Sequence, residues 1–150
     1  INYIKKGIMK NQKVLTAMVL AILFSAQANA QKTKLSKNEV PIKITNYINQ
    51  NFKDHKIKKV IKEINNNIAE YEIKLNKKVE LEFDESFKIK EIDSKFGVST
   101  LLLPTPIVEY VQAHYPDFII IEWKLNEHGQ EVELSNGSEI QFNPNGNFIK

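Results

Sequence analysis

Two stretches of this chain, "VPIKITNYINQNF" at residues 40–52 and "LPTPIVEYVQAHY" at residues 103–115, align without a gap at an offset of 63. Pro41 meets Pro104, Ile44 meets Ile107, Tyr47 meets Tyr110, Ile48 meets Val111 and Phe52 meets Tyr115. In each copy the apolar residues recur at i, i+3, i+4 and i+8, which is one stripe of an amphipathic helix. Thr105 suits an N-cap and Pro106 a first helical residue, and Pro116 with Asp117 stops the second helix. A chain that writes the same helix twice is bound to a duplicated architecture, so the rest of each copy can be read against the other.

A strand follows each helix, at about residues 56–64 and 118–125. Ile57 and Val60 match Ile120 and Trp123, and their spacing of three breaks strict alternation, which predicts a β-bulge. The next turn is the longer "INNNIAE" in the first copy and the compact "NEHGQ" in the second, where Gly129 suits a positive φ. The offset becomes 59, aligning Ile73 with Val132, Leu75 with Leu134, Leu81 with Ile140 and Phe83 with Phe142. Along these strands Ile73, Leu75, Leu81, Phe83, Phe87 and Ile89 are expected on one face. Glu72, Lys74, Glu80, Glu82, Lys88 and Lys90 are expected on the other. "SNG" and "NPNG" supply the residues that hairpin turns require. The expected fold is therefore α+β: a helix plus a four-stranded antiparallel β-meander in tandem duplication, with both helices packed on one face of a joined sheet. The copies run over residues 31–95 and 96–150, and "SKFGVSTLL" at 94–102 connects them. One unit alone is near the lower size limit for a core, so the two are expected to pool theirs.

Residues 1–30 read differently. Met9 is the expected start, Lys10 and Lys13 precede an apolar run at 14–24, and Ala28-Asn29-Ala30 forms a small-x-small cleavage site. The expectation is a signal peptide with an upstream extension, cleaved after Ala30, and a periplasmic or secreted product. The run is shorter than the roughly 20 residues that span a bilayer, so no stable membrane insertion is expected after cleavage. The chain has no cysteine, so neither a disulfide nor a lipoprotein anchor is expected. Residues 31–150 carry 17 lysines against 18 acids, and no arginine occurs anywhere. Arginine is the preferred bidentate reader of phosphate and guanine, so nucleic acid is not an expected partner.

A leader followed by two copies of apolar-Pro, a helix bearing Tyr-[Ile/Val], "YP", "EVEL-NG-EI-F" and "NGNF" resembles the PepSY-like, beta-lactamase-inhibitor-like family of small exported bacterial proteins, common in Bacteroidetes. The resemblance covers residues 35–150. The second copy fits better, since the first has "LNKK" for "LSNG" and lacks the glycine turn at "DESFK". The resemblance implies a periplasmic or secreted binding module. Distant relatives include peptidase-inhibiting propeptide domains and a secreted inhibitor that grips its enzyme with a concave sheet face.

No catalytic constellation accompanies the fold. His55, His114 and His128 stand at no metal spacing, and no serine sits in a nucleophile elbow. "NPNGN" lacks the carboxylates of a calcium loop and reads as a turn. Neither enzyme activity, cofactor nor metal is expected. The charge distribution is more informative. Residues 31–95 hold 15 lysines and 11 acids, whereas residues 96–150 hold 2 lysines and 7 acids. Glu131, Glu133 and Glu139 are expected together on the outer face of the second copy's sheet, with no lysine among them. Trp123 has two roles open to it, core packing or an aromatic anchor on an interaction surface. Two functions follow. The first is a non-enzymatic exported module that binds a protein or peptide through Glu131, Glu133, Glu139 and Trp123, as an inhibitor or modulator of a peptidase or other envelope enzyme. The second is a small-ligand or cation-binding protein with a sensing or buffering role. The unequal charge of the two copies also suggests weak self-association.

Overall fold

Pro41 and Pro104, with φ/ψ of −54°/135° and −57°/131°, turn the chain into a helix at the same point of each repeat. In the computed structural model, which describes residues 30–150, α1 spans Ile42–Asn51 and α2 spans Thr105–His114. The expected start at Met9 and the leader run lie outside the described residues. The second helix begins one residue earlier than expected: Pro104, not Thr105, is the N-cap, and no side chain caps the helix. Its carbonyl accepts from the backbone N–H groups of Ile107 and Val108 at 3.1 and 3.3 Å, so Thr105 falls inside the first turn. Both helices end alike, on Phe52 and Tyr115, whose N–H groups donate to Ile48 and Val111 at 2.8 Å.

Eight strands form one antiparallel meander in which chain order equals spatial order. They are β1 (Gln31–Lys34), β2 (Ile57–Asn65), β3 (Ile68–Leu75), β4 (Val79–Phe83), β5 (Ile89–Ser94), β6 (Ile120–Asn126), β7 (Gly129–Leu134) and β8 (Glu139–Phe142). The inward residues Ile73, Leu81, Phe83, Val132, Leu134, Ile140 and Phe142 are buried with Ile44, Ile48, Ile107 and Val111 of the helices in one cluster. The repeats match in detail. Tyr47 meets Phe83 edge-to-face at 5.4 Å and 86°, and Tyr110 meets Phe142 at 5.5 Å and 86°. The register slips between Ile57 and Lys59 and again between Ile120 and Glu122, which are the bulges that the spacing of three requires. Gly129 has φ +151°, and a Cβ there would stand 2.2 Å from the Phe142 carbonyl oxygen.

Two features depart from expectation. The alternation through Phe87 and Ile89 does not continue. Phe87 takes φ +65° in a turn, and β5 pairs Ile89 with Phe83 but Glu91 with Glu82, leaving Lys90 as an extra residue. Ile92 and Ser94 therefore point inward, and Glu91 and Asp93 outward. The second is β1, whose exposed "QKTK" carries no apolar signal at all. It pairs along β2, with Lys34 opposite Ile61, as β5 pairs along β6, with Glu91 opposite Lys124. Leu35 donates its N–H to Val60 at 3.0 Å and packs on the core. In the first repeat, β1 fills the place that the preceding repeat's fourth strand fills in the second.

Candidate functional site

With both helices on one side, the other face of the sheet carries no covering element among the described residues. Alternation dictates its composition: every buried Val, Ile, Leu or Phe along a strand obliges its neighbours to point outward. The register then aligns those neighbours across strands. Glu80 stands opposite Asp93, Asp93 opposite Glu122, Glu122 opposite Glu133 and Glu133 opposite Glu139. This row of carboxylates crosses β4 to β8 with no cation in it, and Lys74 adjoins it at Glu80. The next row holds Glu72, Glu82, Glu91, Lys124, Glu131 and Gln141.

Glu131, Glu133 and Glu139 thus share the outer face. Glu139 is exposed and the other two are half-buried. The expected absence of lysine needs correction, because Lys124 stands opposite Glu131. Its ammonium turns away from Glu131, to Glu122 at 2.5 Å and Glu91 at 3.6 Å, while Gln141 donates to Glu131 at 3.1 Å. Lys74 likewise bridges Glu80 at 2.6 Å and Glu72 at 3.2 Å, and Lys90 pairs with Glu70. Trp123 does not belong to this face. It pairs with Ile92 and Val132 on the helix side, is buried, and donates its indole N–H to Gln130 Oε1 at 2.9 Å. Of its two roles the structure places it in the core, where its strand neighbours Ile92 and Val132 are buried too and Gln130 satisfies its indole N–H.

The lysines do not neutralise the face. Partial burial, followed by the charge of Glu82, raises the pKa of Glu91 to about 7 even with Lys124 near it. Partial burial together with Glu122 and Glu80 raises that of Asp93, and partial burial together with Glu70 raises that of Glu82. Burial works against the charge of Lys124, yet its bond to Glu122 and the Glu91 charge lift its pKa overall. Glu82, Glu91 and Lys124 line a trough of about 630 Å³ that also takes in Lys90 and the partly exposed apolar side chains Ile68 and Leu125. Among the described residues no set of three or more acidic, histidine or cysteine side chains is placed to hold a metal ion.

Glu91, Asp93 and Glu122 are the site residues that sequence reasoning missed. Glu122 was legible as an outward neighbour of Trp123 once that residue is taken as core. Glu91 and Asp93 were hidden by the bulge at Lys90, which reverses the faces of β5.

Comparison with known proteins fits this architecture. The chain matches the family described as "Putative beta-lactamase-inhibitor-like, PepSY-like" twice, over residues 13–91 and 89–150. A crystallised "putative periplasmic protein of unknown function" from Bacteroides vulgatus is 27% identical, with a TM-score of 0.76 over 80% of this chain and 98% of that one. A "putative calcium-regulated periplasmic protein" from Bacteroides thetaiotaomicron is 27% identical, with a TM-score of 0.74 over 79% of this chain and 94% of that one. A "putative periplasmic protein from DUF2874 family" from Bacteroides vulgatus is 28% identical, with a TM-score of 0.75 over 80% of this chain and 95% of that one. No curated protein matches the chain. Two tandem matches, one on each structural repeat, establish that the chain belongs to the PepSY-like, beta-lactamase-inhibitor-like family.

Proposed function

We propose that this protein is an exported, non-enzymatic module that binds a protein or peptide through the uncovered face of its sheet and thereby restrains a peptidase or another envelope enzyme. The observation that carries the reading is the row Glu80, Asp93, Glu122, Glu133 and Glu139 on a face without a covering layer. Like charges directly opposite destabilise a sheet, and a basic partner relieves that repulsion on binding. The family's inhibitor-like description and the periplasmic descriptions of its structural neighbours support export and binding. A mature chain beginning at Gln31, read by mass spectrometry of exported material, is the expected product, and retention of the leader in a membrane fraction contradicts it.

The test of the face is a pull-down from the native envelope followed by association kinetics at two ionic strengths. Replacing Glu131, Glu133 and Glu139 together by glutamine should slow association and flatten its salt dependence, since exposed charges act mainly on the on-rate. Unchanged kinetics would leave the face as a solvated surface. The calcium-regulated description of one neighbour favours a second reading, cation binding in a sensing or buffering role, which would need the face's carboxylates to draw together, since no three of them stand ready around one point among the described residues. It predicts a rise in melting temperature with calcium that glutamine at those positions abolishes.

A further inference from the structure

The end of the sheet where β2 and β4 begin and β3 and β5 finish has a different chemistry from its face. Lys53, Lys56, Lys58, Lys77, Lys78 and Lys95 crowd this end of the first repeat, all exposed. None of the six forms a salt bridge among the described residues. The backbone makes them one surface: Asn76 donates its N–H to the Lys56 carbonyl at 3.0 Å, and Lys95 to that of Lys78 at 3.3 Å. Asp54 is the acid among them. Nucleotide composition acts on both repeats alike, yet the second repeat has Asn136 and Gly137 where the first has Lys77 and Lys78. Both of these lysines take φ +57°, a left-handed backbone that disfavours any side chain with a Cβ. Strain retained at a surface turn points to a use for the side chains that cause it.

Apolar side chains stand beside the lysines. Phe96 is 71% exposed, with Phe118 and Ile119 partly exposed beside it, and Leu101, in the connector after it, is 93% exposed. Phe96 joins the two groups. It lines a groove of about 310 Å³ with Lys77 and another of about 380 Å³ with Phe118 and Ile119. An isolated exposed apolar residue is ordinary, but a group of them beside a cluster of one charge marks a docking surface; Asp117, next to Phe118, is the acid on the apolar side.

We infer that this end docks on an anionic lipid bilayer, with the lysines among the headgroups and Phe96 and Leu101 inserted shallowly. The charge sits at the ends of long, flexible lysine side chains on turn tips, which reach the diffuse charge of anionic headgroups without needing one fixed geometry. Lysine stems and exposed aromatic or aliphatic tips are the two components of interfacial binding. Docking by the end stands the strands upright on the membrane and leaves the carboxylate face open to a partner, so this inference is independent of what that face binds.

The test is co-sedimentation with vesicles of phosphatidylcholine alone or of equimolar phosphatidylcholine and phosphatidylglycerol. A chain beginning at Gln31 is the right reagent. It contains every strand and helix of the described fold, and a crystallised relative is covered over 98% of its length by 80% of this chain. The expected result is salt-sensitive binding to the anionic vesicles only. At about fivefold per lysine, Lys77→Asn with Lys78→Gly should weaken it roughly 25-fold. Phe96→Ser should reduce the binding that survives at high salt, and glutamine at Glu131, Glu133 and Glu139 should not weaken it. Circular dichroism confirms that each variant folds. Absence of binding to the anionic vesicles at low salt, or equal binding to both kinds, overturns the inference. So does self-association at low salt that is lost in the double lysine variant, which would assign this end to the acidic face of a second copy.

Discussion

Glu91→Gln should make the protein more stable above neutral pH and leave it unchanged in acid. Glu91 lies on the outer face between Glu82 and Lys124, and its carboxyl titrates at about 7 in the fold against an ordinary 4.5. Between those values the folded state holds a proton that the unfolded state has released, so stability falls as pH rises through that window. The full difference corresponds to about 3 kcal/mol at 1.36 kcal/mol per pH unit. Glu91 keeps contact with water and with Lys124 at 3.6 Å, so about 2 kcal/mol should be realised after screening. Glutamine keeps the shape and cannot ionise. Urea unfolding at about pH 8 should show the variant more stable by about 2 kcal/mol, with the two proteins indistinguishable at about pH 4. A variant less stable than the wild type at the higher pH would show that the ion pair with Lys124 outweighs desolvation and repulsion, and would refute the reasoning. The raised values of Asp93 and Glu82 have the same sign, so the wild-type protein should itself be more stable in mild acid than above neutrality.

Phe83→Ala and Phe142→Ala should each cost about 3–5 kcal/mol in urea unfolding and should agree within about 1 kcal/mol, because each ring is fully buried beneath an edge-on tyrosine; a large inequality would contradict the structural equivalence of the repeats. Lys78→Gly should stabilise the fold by about 1 kcal/mol in the same assay by relieving the left-handed turn, and a loss of stability would show that the lysine stem contributes packing.

The duplication and the helices were legible in the sequence because their signals are internal: Tyr47 and Tyr110 lie on stripes that repeat with their flanking prolines. The bulges at the start of β2 and β6 were legible for the same reason, since Val60 and Trp123 break alternation in step. What escaped were features decided by pairing. β1 has no amphipathic pattern and exists because β2 offers an edge. The reversal of β5 depends on a bulge at Lys90 that nothing in "FKIKEID" announces. The same reversal hid Glu91 and Asp93, so the candidate face read from the sequence held Glu133 and Glu139 of the carboxylate row and Glu131 of the row beside it, and the register extends the first row to Glu80 on β4. Trp123 was legible only as two alternatives, and its burial beside Gln130 decides between them.

The equivalence of β1 and β5 has a consequence for how such chains change over time. Each repeat ends on a strand that completes the next repeat's sheet, and β1 supplies that strand where no repeat precedes. The junction is therefore generic. A further copy of residues 40–95, without β1, could enter the gene between the two repeats and meet only pairings of a kind the protein already makes. Stability near the junctions is then a nearest-neighbour property, as in other repeat proteins, and selection on the core of one copy places little demand on the surface of the other. That independence explains how one copy could accumulate lysines and the other acids while their tyrosines still meet the sheet at the same angle.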